Sequence, residues 1–318
     1  MATSGSYDWS ATRAEVIKEA LQKVGGLGLG ETPSSDQTTQ ASFLLNAIVK
    51  HWHTQGMPLW KLGQGYLLPQ TGASSFTLGP SGDYCTTSYV HTTTTAEASS
   101  GASTIVVDSI TGISTTYYIG VEQDDGDMQW TTVNGAPSGS TVTLTATLSG
   151  DVSSGADVYV FQTKIQKPLR IQAAWRRTHA GDEIYDTPMI LSERENFFDL
   201  SNRTAESIPT HFYYQPKNSD GTFHVYPRFS NGDSVIMFTY QAPFEDMDAD
   251  ANNFDFPTEW TLALIWELSY QLAANYGVPP DERKGWKMEA KALKQENLDY
   301  DQEEGSIYMM PSEEHGRR

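Results

Sequence analysis

The segment from Phe256 to Gly277, FPTEWTLALIWELSYQLAANYG, is apolar around nearly the whole circumference of the helix that it predicts. When its residues are placed at intervals of about 100°, Glu267, Gln271 and Asn275 form a narrow polar stripe. Most other positions are apolar, notably Trp260, Leu262, Leu264, Ile265, Trp266, Leu268, Leu272, Ala273 and Tyr276. A helix of this kind must be covered on nearly all sides.

The same segment does not have the properties of a membrane span. A span needs about 18 or more consecutive apolar residues, whereas this segment is interrupted by its polar stripe. The N-terminal sequence also lacks the apolar core of a secretory signal. We therefore expect a soluble protein without a membrane partner.

The charge balance argues against several classes of protein. The chain has 318 residues, of which 40 are acidic and 21 are basic, and its formal net charge is -19. A surface with this charge repels phosphate backbones, so nonspecific nucleic-acid binding is not expected. The single cysteine, Cys85, excludes an intrachain disulfide and a cysteine-rich zinc site, and a buried thiol is predicted instead.

Helical patterns at both ends of the chain, with extended patterns between them, predict an α+β protein. Residues 1–71 comprise an N-terminal helix pair and a leading strand. The first helix opens with Thr12-x-x-Glu15, the arrangement of a capping box. Residues 257–302 comprise a C-terminal helical hairpin, because the short link around Pro279 forces its two helices to pack antiparallel. The helix pair and the hairpin together predict a helical bundle.

The sequence between these helices predicts two β-regions. No Lys or Arg occurs between Lys61 and Lys164, and Thr, Ser and Gly dominate there. Short β-branched runs separated by Gly and Asp predict an inserted small all-β sandwich or barrel module at residues 72–164. Residues 165–256 return to mixed charge and predict a second antiparallel β-region. Residues 303–318 lack periodicity and predict a flexible C-terminal tail.

An acidic stretch before the apolar helix is the best candidate for a metal site. Asp246, Asp248 and Asp250 stand at alternate positions, as the ligands of calcium loops do. The calcium-loop pattern, however, needs Gly where Ala251 stands and Glu where Pro257 stands. The sequence therefore favours an acidic loop that caps the next helix, and neither a metal site nor a cofactor is predicted.

The sequence contains no recognisable catalytic motif. His51 and His53 are two residues apart on a predicted helix, so they point in different directions. His211 and His224 lie on predicted strands, and no nucleophile-elbow, phosphate-loop or H-E-x-x-H motif occurs. Carboxylate pairs suited to glycoside hydrolysis remain open, because only a fold would show their separation. The lack of a recognisable catalytic motif in the sequence favours a structural protein over an enzyme.

The order of the helical motifs resembles that of a viral protein family. The first helix has the pattern T-x-x-E-V-I-x-x-A-L-x-x-x-G from Thr12 to Gly25, and L-L-N-A-I-V-K-H-W-x-x-x-G-x-x-L-W follows from Leu44 to Trp60. With a strand that begins KPLRI at Lys167 and the final hairpin, these motifs resemble head-to-tail adaptor (connector) proteins of short-tailed bacteriophages. The tail tubular protein A type and the packaged-DNA stabilisation, or tail accessory factor, type belong to this family. The resemblance covers about 1–68 and 165–302.

The resemblance implies a structural role in the virion. Members of this family form a ring of subunits, here expected to be a dodecamer, docked beneath the portal protein at the portal vertex. The ring carries the tail nozzle or other tail proteins, helps retain packaged DNA and passes it at ejection without binding it specifically. The subunits would be made and assembled in the host cytoplasm. A lumen rich in carboxylates agrees with this role, because it repels phosphates.

The resemblance also implies roles for particular residues. Trp260, Trp266, Leu272, Tyr276 and Trp286 are expected to be core or subunit-interface anchors of the hairpin. The tail of the family reaches onto the portal, and here its apolar cluster consists of Ile307, Tyr308, Met309 and Met310. This cluster is the expected portal-docking anchor.

Two alternative functions are suggested by other features of the sequence. Aromatic strands, in HFYYQP and FHVYP, and the Thr-rich module suggest a carbohydrate-binding or depolymerising virion tail protein. The acidic stretch from Asp246 to Asn252 suggests a calcium-dependent enzyme. Glycan binding without affinity for a portal would favour the first, and a calcium-dependent shift in melting temperature would favour the second.

Overall fold

The computed structural model describes residues 5–6, 9–52, 61–180, 183–202, 204–230, 232 and 234–301. These residues form five helices and fifteen strands. The chain divides into two compact units, a helical unit (Met1–Trp60 and Phe244–Arg318) and a β unit (Lys61–Pro243). The protein is thus α+β, as the sequence predicts.

Four helices form the helical unit: α1 (Arg13–Lys23), α2 (Ser35–Trp52), α4 (Trp260–Ala273) and α5 (Pro280–Tyr300). The capping box of α1 is present, because the Thr12 hydroxyl accepts from the Glu15 backbone N–H while Glu15 Oε2 accepts from the Thr12 N–H at 2.8 Å. α5 begins with Pro280, whose missing N–H is harmless in a first turn. Within the described part of the chain, none of the helices is both long and apolar enough to span a membrane.

The apolar helix α4 packs against α1, α2 and α5. Its fully buried residues include Leu264, Leu268 and Leu272, which belong to the core of the helical unit. The other helices contribute residues such as Ile17 and Leu21 from α1, and Leu45 and Val49 from α2. The other three helices of the unit therefore cover much of the surface of α4.

The β unit contains two sheets that share one core. The five-stranded sheet runs in the order β11 (Glu183–Pro188), β10 (Arg170–Ala180), β15 (Ser234–Gln241), β1 (Leu62–Leu67) and β3 (Cys85–Thr86). The four-stranded sheet runs in the order β12 (Ile190–Leu191), β13 (His211–Pro216), β14 (Gly221–Tyr226) and β2 (Ser75–Leu78). A short helix, α3 (Arg194–Phe198), lies between β12 and β13 in the chain. Phe76, Phe212, Phe223 and Phe238 are almost completely buried in the shared core.

Two further sheets form the Thr-rich part of the β unit. One runs in the order β4 (Val90–Thr93), β9 (Asp157–Phe161), β6 (Tyr118–Glu122) and β7 (Met128–Thr132), and the other pairs β5 (Thr104–Val106) with β8 (Thr141–Thr143). Both contribute to a separate core that contains Ile105, Ile119, Val142 and Val158. This segment, called the Thr-rich module below, therefore has a core of its own.

The boundaries of the β-regions differ from those that the sequence suggested for 72–164 and 165–256. β2 pairs with β14 and β3 pairs with β1, so both strands join the two larger sheets instead of the Thr-rich module. Phe76 and Cys85 are buried in the shared core, and burial raises the pKa of the Cys85 thiol. Phe244 and Met247, in turn, are buried in the core of the helical unit. The boundaries differ because strands pair with segments that are distant in the chain. The local composition of a strand does not show which partner it will pair with.

Candidate functional site

Two of the predicted anchor residues lie in the core of the helical unit. The Trp260 side chain is 5% exposed, and its ring centroid lies 5.6 Å from that of Trp52 on α2. Leu272 is completely buried. Both side chains are therefore occupied by contacts within their own unit.

Trp266 and Trp286 lie nearer to the surface, and both are half-buried. Their rings make an edge contact with centroids 6.4 Å apart, which joins α4 to α5. The ammonium of Lys23, at the end of α1, lies 3.7 Å from the centroid of the Trp266 ring. A cation at this distance interacts favourably with the face of an indole. Trp266 therefore connects three helices while keeping part of its surface in water.

Tyr276 follows α4 and packs on the turn that follows α1. Its ring occupies the space into which a Cβ on Gly26 would project. Gly26 is therefore required by a close approach between the backbone and an aromatic ring, and Tyr276 has a packing role within the helical unit.

Several large apolar side chains of the helical unit remain exposed. Phe43 on α2 is 74% exposed, Leu262 on α4 is 50% exposed and Met288 on α5 is 73% exposed. Leu262 is a neighbour of Ala263 and Leu264, which are almost completely buried. Single exposed apolar residues are common on protein surfaces, and here three helices of the same unit each carry one.

The three aspartates considered as metal ligands have different surroundings. Asp246 forms an ion pair with Lys50 at 2.7 Å, Asp250 forms one with Arg13 at 2.5 Å, and Asp248 is exposed. Across the described ranges, no group of three or more His, Cys, Asp or Glu side chains is arranged to hold a metal ion. The calcium-loop spacing thus does not bring these carboxylates together.

The acidic loop caps α1, a contact that the sequence did not suggest. The first-turn N–H groups of Arg13 and Ala14 donate to the backbone carbonyls of Asn252 and Asp250, at 3.0 and 3.2 Å. At the start of α4, by contrast, Glu259 makes no side-chain capping hydrogen bond. The acidic loop thus supplies hydrogen-bond acceptors to α1, although the two segments are more than two hundred residues apart in the chain.

The other residues named from the sequence either lie outside the described residues or have neighbours of their own. The proposed portal anchor, Ile307, Tyr308, Met309 and Met310, lies outside the described residues, as does His53. His211 contacts the Thr210 hydroxyl through Nδ1 at 2.9 Å, and His224 stacks on Tyr213.

A cluster of titratable side chains in the β unit was not foreseen from the sequence. His91 on β4 and His179 on β10 stack with ring centroids 4.0 Å apart. His91 Nε2 lies 2.9 Å from an oxygen of Asp157 on β9, and His179 Nε2 lies 3.0 Å from the hydroxyl of Tyr89. The cluster therefore links two strands of the Thr-rich module to the five-stranded sheet. Because these residues are far apart in the chain, no local motif could have revealed it.

Burial and neighbouring charges set the titration of this cluster. The pKa of His179 is lowered to about 4, chiefly by burial; the nearby His91 and Arg177 act in the same direction, and Asp157 acts in the opposite direction. Burial also raises the pKa of Tyr89. The cluster thus holds a neutral imidazole at neutral pH, and it can respond to acid.

Comparison with family models and with curated proteins adds no relative. No family model matches the chain, and no curated protein matches it.

Proposed function

We propose that this chain is a structural virion protein, the subunit of a head-to-tail adaptor ring. The ring, a dodecamer in this proposal, docks under the portal protein at the portal vertex and connects the capsid to the tail nozzle or other tail proteins. It helps retain packaged DNA and forms part of the ejection channel. The subunit is not an enzyme and needs no cofactor. It assembles in the host cytoplasm.

The observation that carries the proposal is the exposed apolar surface of the helical unit. Phe43, Leu262 and Met288 lie on α2, α4 and α5, the elements whose opposite faces build the core. A ring requires each subunit to bury a second surface against a neighbour, in addition to its own core. An exposed apolar side chain on each of three helices is surface that such a neighbour would bury.

The finer architecture follows from the same proposal. The N-terminal helix pair and the C-terminal hairpin together form the helical bundle through which subunits associate, and the Thr-rich module is a small sandwich added to the second β-region. The anchors Trp260 and Leu272 hold the bundle together, while Trp266 and Trp286 retain partly exposed surface for a neighbour. The acidic surface suits a conduit through which DNA passes without specific binding.

The carbohydrate-binding alternative loses part of its basis. Its aromatic strands, β13 and β14, place Phe212 and Phe223 in the core, where both are completely buried and cannot contact a sugar. Tyr213 and Tyr226 remain partly exposed on the same strands.

The proposal is tested by mixing the purified chain with the portal protein of the same virus and imaging the product by electron microscopy. We expect a monomer or weakly associated chain alone, and rings on the portal after mixing. The double variant Leu262→Ser/Met288→Ser should fold but form few rings. The matched double variant Asn275→Ser/Glu289→Ser, which alters exposed polar positions, should assemble normally.

Two outcomes would overturn the proposal. One is a chain that never associates with the portal at any ratio. The other is a stable trimer that binds glycans, which would restore the carbohydrate-binding alternative.

A further inference from the structure

The helical unit contains a groove between α2 and α5. Both helices pack against α4, whose Glu267 and Tyr270 contribute to the lining of the groove. The groove has a volume of about 590 Å³, within the range of ligand-binding clefts.

The groove is long enough for a short peptide. From α5 it is lined by Lys287, Ala290, Lys291 and Lys294, which are spaced i, i+3, i+4 and i+7. At about 1.5 Å per residue, this stretch extends for about 10 Å. An extended chain rises about 3.3 Å per residue, so three or four residues of a peptide would occupy the groove.

The lining combines positive charge with apolar and aromatic surface. Lys287, Lys291 and Lys294 line the groove together with His51, and Glu267 is the one acidic residue among the described residues of its lining. The ammonium of Lys294 lies 5.1 Å from the centroid of the Trp52 ring, and that of Lys287 lies 5.7 Å from the centroid of Tyr270. The cations are therefore held beside rings that can contact an apolar side chain.

This charge is opposite to that of the chain as a whole. The chain has 40 acidic and 21 basic residues, so most of its surface repels an acidic ligand. Burial lowers the pKa of Lys294 to about 8, and Glu267 acts in the opposite direction. A carboxylate placed in the groove would stabilise the charged form of this lysine.

We propose that this groove binds an acidic peptide segment of a partner protein, in which carboxylates flank one aromatic or long aliphatic side chain. The carboxylates interact with Lys287 and Lys291, and the apolar side chain packs against Leu44 and Tyr270, which are partly exposed in the groove. This site does not depend on the adaptor role.

A peptide fits the groove better than a nucleic acid does. A strand of nucleic acid would continue past the lysines onto a surface with excess negative charge, where its phosphates are repelled. A peptide of a few residues can confine its carboxylates to the groove.

The test uses the full chain and a fluorescein-labelled octapeptide that has glutamates on both sides of a Phe-Leu pair. Fluorescence anisotropy should show saturable binding that weakens as salt increases. The double variant Lys287→Gln/Lys291→Gln should weaken binding at least tenfold. Both lysines are exposed, so the variant should unfold at the wild-type temperature. Lys284→Gln, an exposed change on the same helix but outside the groove lining, should bind like the wild type.

Three results would overturn the proposal. They are no binding of the octapeptide, equal binding by the groove variant and the wild type, or tighter binding of a short oligothymidylate that is lost in the same variant. A peptide in which lysines replace the glutamates should not bind. Ring formation on the portal is scored separately with Leu262→Ser/Met288→Ser, so each proposal can fail without the other.

Discussion

The imidazole rings of His91 and His179 stack in the β unit, with centroids 4.0 Å apart and planes inclined by 18°. One ring belongs to β4 in the Thr-rich module and the other to β10 in the five-stranded sheet. Protonating both would place two positive charges in contact at a partly buried junction. The junction is therefore more stable while at least one ring stays neutral.

Acid should weaken this junction. The pKa of His179 is about 4 in the folded protein, below its ordinary value of 6.5. The stability contributed by its neutral form is thus present above pH 6.5 and is lost as pH falls towards 4. Because the ring is partly exposed, we expect a loss on the order of 1 kcal/mol in the free energy of unfolding between pH 7 and pH 5. Urea unfolding of the wild type and His179→Gln at both pH values tests this, and equal pH dependence in the two proteins would contradict it.

The tryptophans of α4 should differ in their effect on stability. Trp260 is buried against Trp52, so Trp260→Ala should cost about 3–5 kcal/mol in the free energy of unfolding. Trp266 is half-buried, so Trp266→Ala should cost only about 1–2 kcal/mol, from its contacts with Lys23 and Trp286. Denaturant titrations measure both, and Trp266→Ala should then impair ring formation in a protein that still folds. The reverse order of costs would show that the packing of α4 is misassigned.

Two glycines of the helical unit should respond oppositely to alanine. Gly26→Ala places a methyl group where the Tyr276 ring lies, so it should destabilise the protein by about 1–3 kcal/mol. Gly285 lies inside α5, and no neighbouring atom lies within 4 Å of the position that a methyl group would take there. Gly285→Ala should therefore stabilise the protein by about 1 kcal/mol. Thermal unfolding of the two variants compares them directly, and a stable Gly26→Ala protein would mean that Tyr276 moves freely.

The Trp130 side chain should stabilise the junction between the Thr-rich module and the rest of the β unit. Its indole N–H donates to the Pro69 carbonyl at 3.0 Å, and its ring stacks on Tyr84 with centroids 4.3 Å apart. Trp130→Phe keeps a stacked ring but removes the donor, so we expect a loss of about 1 kcal/mol. Chemical denaturation gives this value. Trp130→Ala, which also removes the ring, should cost clearly more.

Calcium should leave the melting temperature unchanged. Asp246 and Asp250 form ion pairs with Lys50 and Arg13, and their carboxylates are not gathered around one point. Millimolar calcium is added in differential scanning calorimetry, with magnesium as the control. An upward shift specific to calcium would identify a cation site in the acidic loop.

Local features of the fold could be predicted from the sequence because their causes are local. The α1 capping box depends on Thr12 and Glu15, three residues apart, and the apolar periodicity of α4 repeats within a few turns. The strands of the Thr-rich module were recognisable from β-branched runs between turn residues. Such signals depend on neighbours in the chain, so they do not require knowledge of the tertiary structure.

Other features depend on contacts between distant residues. Phe76 on β2 pairs with Phe223 on β14, yet nothing in the sequence of β2 distinguishes this partner from a strand of the Thr-rich module. Lys287, Lys291 and Lys294 line a groove only because α2 and α5 both pack against α4. The sequence of α5 alone does not show this arrangement.

Amino-acid order alone thus specified that α4 must be buried, that the chain is α+β and that its surface is strongly acidic. Tertiary structure decided which helices cover α4, which sheet receives β2, and that His91 meets His179. The physical reason is that periodicity and charge are properties of a segment, whereas a contact is a property of two segments whose mutual position is set by the packing of the whole core.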